Sequence, residues 1–358
     1  MNRENKGLRM KVTRQNKTTE RAEQNGWKND LKVVGTGFAM GTANVIPGVS
    51  GGTMAFILGI FEQLIGSIKQ VASVETFRMV CRLQFRKMYE TLPWRFLLAL
   101  AVGVVLAMAT TAKLCIYLLE FHREATFAAF FGLVLASVFS VFREVTCWSL
   151  SRWIFLAIGA LTAYLIVTLV PVETPNVWWV TFLCGIIVIC AMILPGISGS
   201  FLLLVLGQYN YVWGAVANLA GLKFAWADIK TIFWLAAGCA IGLGSFVYLL
   251  NYLFKKFHDL TIVTLIGFMI GSLWRLWPWQ QVMEAAVKTA EGKVLLALPA
   301  QQAQLDALLA AGGKMEPTVV GNILPASFQA ALWPVVFAVL GFALVFGLDY
   351  IAARKAKE

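Results

Sequence analysis

The chain has 358 residues, 59% of them hydrophobic and 14% charged, with a mean hydropathy of +0.72. A soluble domain carries about 25% charged residues, so this composition excludes a soluble enzyme and predicts an all-α polytopic membrane protein. The net charge of +11 suits either nucleic acid or an anionic membrane surface, and its distribution decides for the membrane.

Residues 1–32 are polar and carry nine Lys and Arg. They read as a basic cytoplasmic tail without a signal peptide. The apolar stretch 33–66 is interrupted by Pro47, Gly48, Ser50, Gly51, Gly52 and Thr53, which predicts a broken, re-entrant helical hairpin. Over 74–90, Val74, Phe77, Cys81, Phe85 and Met88 share one helical face and Arg78, Arg82 and Arg86 another, as expected of an amphipathic surface helix. Crossing a bilayer takes about 20 apolar residues. Segments 96–119, 125–142 and 153–171 meet that length and close a first unit, 33–171.

A second unit, 172–353, opens on another broken stretch, 177–216, interrupted by Pro195, Gly196, Ser198, Gly199 and Ser200. Spanning segments follow at 231–254 and 260–277, and the last helix at 331–348. Between them the Ala-, Gln- and Leu-rich insert 278–330 reads as a periplasmic helical loop or hairpin. With both termini cytoplasmic, the inner loops and tails hold 22 Lys and Arg against six outside, as the positive-inside rule requires. Nucleic acid is thereby excluded as a partner. Six scattered cysteines without a Cys-x-x-Cys pair read as small apolar residues, and no metal or cofactor is expected.

The two units are copies. Residues 184–214 lie on 36–66 with a constant offset of 148: Gly37, Ala43, Pro47, Gly48, Ser50, Gly51, Leu58, Gly59 and Gly66 match Gly185, Ala191, Pro195, Gly196, Ser198, Gly199, Leu206, Gly207 and Gly214. Further on, GLVLASV at 132–138 aligns with GFMIGSL at 267–273. Three crossings per unit is odd, so the second copy is expected upside down relative to the first. Inverted repeats with broken helices near the midplane are transporter architecture.

Non-helical backbone at membrane depth persists only where protein or a wet cavity satisfies it. Each Pro-Gly-x-Ser-Gly break therefore reads as a candidate site, whose glycines allow close approach and whose following half-helix favours an anion. A helix kink or close-packing motif is the competing reading. Ionisable residues in or beside the apolar segments join the candidates: Glu62, Lys113, Arg143 and Arg275, with His122 and His258 at helix ends. Snorkelling to the interface competes for the cations.

NVIPGVSGGT followed by LGIFEQL, and AMILPGISGSFLLLVLG, resemble the signatures of the bacterial polyprenyl-phosphate transporter family. That resemblance spans about 30–350. It implies a flippase that returns undecaprenyl phosphate, the carrier lipid of cell-wall synthesis, from the outer to the inner leaflet of the cytoplasmic membrane. The phosphate would meet Asn44, Pro47, Gly48, Ser50, Gly51, Gly52, Thr53, Pro195, Gly196, Ser198, Gly199, Ser200, Arg143 and Arg275. Coupling to a proton or sodium would fall to Glu62, His122, His258 and Lys113. Asn44 and Asn210 stand where the family pattern is frequently acidic, and Glu62 is retained. Two alternatives remain: an integral-membrane polyprenyl-pyrophosphate phosphatase, which needs a cation beside the loop serine that Gly51 and Gly199 do not supply, and a transporter of a small soluble anion.

Overall fold

The computed structural model describes residues 26–45, 50–143, 145, 147–172, 174–221, 224–289, 292–312 and 314–355. The first unit opens with α1 (Gly26–Val45), which extends into the expected tail, then α2 (Gly51–Ile57) and α3 (Phe61–Val71). Ser50 caps α2, its side chain accepting from the Gly52 N–H. At the far end Gly59, with φ +69°, stops α2 in a Schellman arrangement: its N–H donates to the Phe56 carbonyl and that of Ile60 to Ala55.

The second unit repeats this with α9 (Trp178–Ile193), α10 (Gly199–Val205) and α11 (Tyr209–Ala220). Gly207, φ +67°, takes the place of Gly59, with Gly207 bonded to Leu204 and Gln208 to Leu203. The sequence reading put one break in each hairpin. The structure has two, and at the second one α10 and α11 meet at 117°.

Residues 74–90 do not form one surface helix. They divide into α4 (Val74–Cys81) and α5 (Phe85–Thr91), because Leu83 adopts φ +53° between them. The remaining helices are α6 (Trp94–Phe121), α7 (Arg123–Phe142), α8 (Leu150–Val167), α12 (Trp226–Lys256), α13 (His258–Ser272) and α15 (Phe328–Lys355). Five of the described helices are long and apolar enough to cross a membrane, six if the bent pair counts as one span. The helix expected over 260–277 ends at Ser272, where a run of turns begins.

The insert is built on strands rather than on a helical hairpin. It is a three-stranded antiparallel sheet, β1 (Gln280–Thr289), β2 (Gly292–Ala297) and β3 (Lys314–Asn322), in the order β2-β1-β3 with the short helix α14 (Gln302–Ala310) between β2 and β3. Val287, Leu296 and Leu305 form its own small core. Alanine and glutamine favour helix locally; pairing along β1 on both sides overrides that preference.

Helices pack in four close pairs: α1 with α6, α9 with α12, α7 with α15 and α8 with α13. Glycine lies in each seam. A Cβ on Gly41 would come within 2.6 Å of the Val104 carbonyl oxygen, and Gly132 and Gly267 lie still closer to the backbones of α15 and α8. Small residues let helices approach where lipid supplies no hydrophobic drive between them. The third long helix of each unit thus packs on the other unit: α8 on α13 and α15 on α7. The two copies interlock, and the core residues Val134, Val247, Val263, Leu265, Ile266 and Met269 belong to both.

α8 also measures the distance between two ends of the molecule. At its start Arg152 pairs with Asp259, next to His258, which in turn pairs with Glu62. Past its other end, the Val172 N–H donates to the Val205 carbonyl and Thr174 to that of Leu206. Its 18 residues span about 27 Å.

Candidate functional site

The two broken hairpins meet through Ser50 and Thr53 on one side and Met192 and Gly196 on the other. Ser50 Oγ donates to the Met192 carbonyl oxygen at 3.2 Å and accepts from the Gly52 N–H at 3.2 Å. Thr53 Oγ1 accepts from the Gly196 N–H at 2.7 Å. Asn44 Oδ1 accepts from the Gly51 N–H at 2.7 Å, so the amide takes up a donor at the start of α2. Ser50 is 2% and Thr53 1% exposed, and hydrogen bonds between residues 142 and 143 apart in sequence join the tips across the repeats.

Backbone geometry explains the glycines. Gly196 has φ +90°, and a Cβ there would lie 2.6 Å from Ser272 Oγ and 2.8 Å from the Phe268 carbonyl oxygen. A Cβ on Gly52 would lie 2.6 Å from the Ile193 carbonyl oxygen. Each tip therefore rests directly on the backbone of the second copy. Pro195 and Gly199 are buried with the second tip, and Ser198 and Ser200 share a hydrogen bond of 2.9 Å at its more open side. Pro47 and Gly48 lie outside the described residues.

The charged candidates go elsewhere. Glu62 Oε1 and His258 Nε2 lie 3.0 Å apart, a hydrogen-bonded contact across the repeats, with 56% of the Glu62 side chain exposed. His258 faces Asp259 at 3.4 Å, and Asp259 pairs with Arg152, so a chain of ionisable side chains ties α3, α13 and α8 together. His122 lies between α6 and α7, with Tyr117 as its ring neighbour, and joins no such chain among the described residues. Arg143 ends α7 exposed, its guanidinium 5.0 Å from the Phe346 ring of α15, and among the described residues no hydrogen bond joins it to a tip. The Lys113 side chain lies outside the described residues. Arg275 is half-buried, 5.0 Å over the ring of Phe201 on α10.

Three participants were missed. Ser272, buried at the back of Gly196, matches Ser137, also buried; the aligned GLVLASV and GFMIGSL segments contained that signal. Gln208 is fully buried and donates to Thr174 at 3.0 Å and Asn176 at 3.2 Å, holding the mouth of the second hairpin, and nothing local announces it. Arg123 faces the Arg275 cavity, and its place beside His122 gave no sign of that. No His, Cys, Asp or Glu cluster fit for a metal occurs among the described residues.

Comparison with known proteins places the chain in a family. A sequence model described as undecaprenyl phosphate translocase-like matches residues 40–294. The chain belongs to this family. The polyprenyl-phosphate transporter of Vibrio cholerae serotype O1 is 35% identical over 334 residues, 91% of this chain and 98% of that protein. The polyprenyl-phosphate transporter of Staphylococcus aureus is 31% identical over 271 residues, 72% of this chain and 88% of that protein. Both relatives bear the names of transporters rather than enzymes. No solved structure is significantly similar to the chain.

Proposed function

We propose that this chain moves undecaprenyl phosphate, or a similar polyprenyl phosphate, from the outer to the inner leaflet of the cytoplasmic membrane. The isoprenoid tail stays in lipid throughout. Only the phosphate needs a path, because burying it unpaired in hydrocarbon costs many kcal/mol, and a tail that stays in lipid offsets none of that. The joint between the tips supplies that path. The observation that carries the reading is that hydrogen bonds of Ser50 and Gly196 cross from one repeat to the other. Breaking them opens the joint and frees the same donors for phosphate oxygens, so protein-protein bonds exchange for protein-phosphate bonds. A phosphatase would instead need a cation at the serine, and the recorded partners of Ser50 are backbone groups.

The two units act in this reading as inverted repeats. Support comes from α8, which separates the Glu62–His258 end from the end where Gln208 closes the second hairpin. Inversion predicts His122 on the outer face and His258 on the inner face. Single cysteines at 122 and 258 in a cysteine-free background should therefore react with a membrane-impermeant maleimide from opposite sides; labelling from one side alone would end the inverted arrangement.

The function itself is tested in proteoliposomes carrying a fluorescent polyprenyl phosphate in one leaflet. Parent protein should accelerate its transfer to the other leaflet well above protein-free vesicles, and Ser50→Ala should slow it on the order of tenfold through loss of one hydroxyl donor to a charged group. Vesicles in which the lipid stays put while soluble phosphate or carboxylate crosses would favour the soluble-anion alternative.

A further inference from the structure

We infer that Arg123 and Arg275 form the loading site for the lipid phosphate, with the first isoprene units in the apolar groove beside them. This rests on the proposed transport of a polyprenyl phosphate and names where the lipid first docks. A cavity of about 330 Å³ lies between the start of α7, the chain beyond α8, the first turn of α10 and the sheet of the insert, and both guanidinium-bearing residues line it. Arg123 donates to Gln280 of β1 at 3.3 Å. Arg275 lies over Phe201 at 5.0 Å, two residues past Gly199 at the start of the tip helix α10.

Two cations side by side repel each other, and among the described residues neither Arg123 nor Arg275 makes an ion pair. An anion of matching charge would relieve that repulsion. A phosphate monoester carries about −1.5 to −2 charges near neutrality, and the planar guanidinium fork presents paired donors to such an oxyanion.

What makes the occupant a lipid is the neighbouring surface. A groove of about 790 Å³ shares Trp274 and Asn322 with the cavity and continues over Phe131, Leu161, Tyr164, Trp277 and Leu324. Its aromatic rings suit the depth where headgroup meets acyl chain. Free phosphate would use the cavity and leave the groove empty; a polyprenyl phosphate fills both, and Phe201 leads from its head to the tip.

The test uses the full-length protein in nanodiscs, nitroxide-labelled polyprenyl phosphate as probe and quenching of tryptophan fluorescence as readout, with melting temperature measured on the same samples. Arg123→Gln, on an exposed residue, and Arg275→Gln should each weaken binding on the order of tenfold, Arg275→Lys less than Arg275→Gln, and Leu324→Glu should weaken it without touching the arginines. Inorganic phosphate at the same concentration should leave the quench in place. Displacement by inorganic phosphate, or parent-like binding and transport in the folded Arg123→Gln/Arg275→Gln double variant, would overturn the loading site while transport by the parent stands. Failure of the parent to bind or move the lipid would overturn both.

Discussion

Replacing Gly196 with valine is expected to abolish lipid transport and to lower the melting temperature of the protein by several degrees or more. Three penalties fall on one residue. The left-handed conformation, φ +90°, costs an L-residue roughly 1–2 kcal/mol. The new Cβ would sit 2.6 Å from Ser272 Oγ and 2.8 Å from the Phe268 carbonyl oxygen, and Ser272 is buried and bonded to the Met269 carbonyl, so it cannot swing away; overpacking of this kind costs about 1–3 kcal/mol. Any backbone shift that relieves the clash pulls the Gly196 N–H from Thr53. Thr53→Val isolates that last effect, since it leaves the buried N–H unpaired at a cost of about 1–3 kcal/mol, and Thr53→Ser keeps the acceptor. Thermal melts and leaflet transfer would be measured on all three. A Gly196→Val protein that melts and transports like the parent would mean the tips do not bear on each other in the working protein.

Glu62→Gln should leave lipid binding intact and remove the dependence of transport on an imposed pH gradient. Carrying a phosphate inward moves negative charge toward the negative side of the membrane, opposed by about 2.3 kcal/mol per charge per 100 mV. A co-transported proton offsets that work. The coupling proposal assigns that proton to Glu62 and His258, whose 3.0 Å contact joins α3 of one repeat to α13 of the other. Glutamine keeps a hydrogen-bond partner for the imidazole and cannot carry the charge. His258→Gln should have the same consequence, by removal of the other half of the pair. Transport would be followed in vesicles with and without a gradient. If both variants respond as the parent does, the proton travels on the lipid phosphate, whose second ionisation lies at about pH 6, or through His122.

Much of this molecule was written locally. The composition required a membrane, and the capping serine, the glycines and the 148-residue offset marked both hairpins: α2 and α10, and the starts of α3 and α11, fall on matched residues. Caps and helix stops act within a few residues, so the sequence states them directly. Even so, nothing local marks Gly59 and Gly207 as helix stops, since a glycine's φ is set only when the turn around it forms.

Other features belong to the tertiary structure alone. The insert became a sheet because β1 found partners on both sides, and no helix-favouring composition outweighs two ladders of backbone hydrogen bonds. The exchange of α8 and α15 between units, the Glu62–His258 pair 196 residues apart and the meeting of Arg123 with Arg275 all depend on how the interlocked copies bring remote segments together. The sequence by itself determined a membrane protein with two broken, repeated hairpins, because periodicity, caps and glycine act over a single turn. Which charges meet, and at which end of α8, was decided only by packing, because those contacts form between segments that share no local signal.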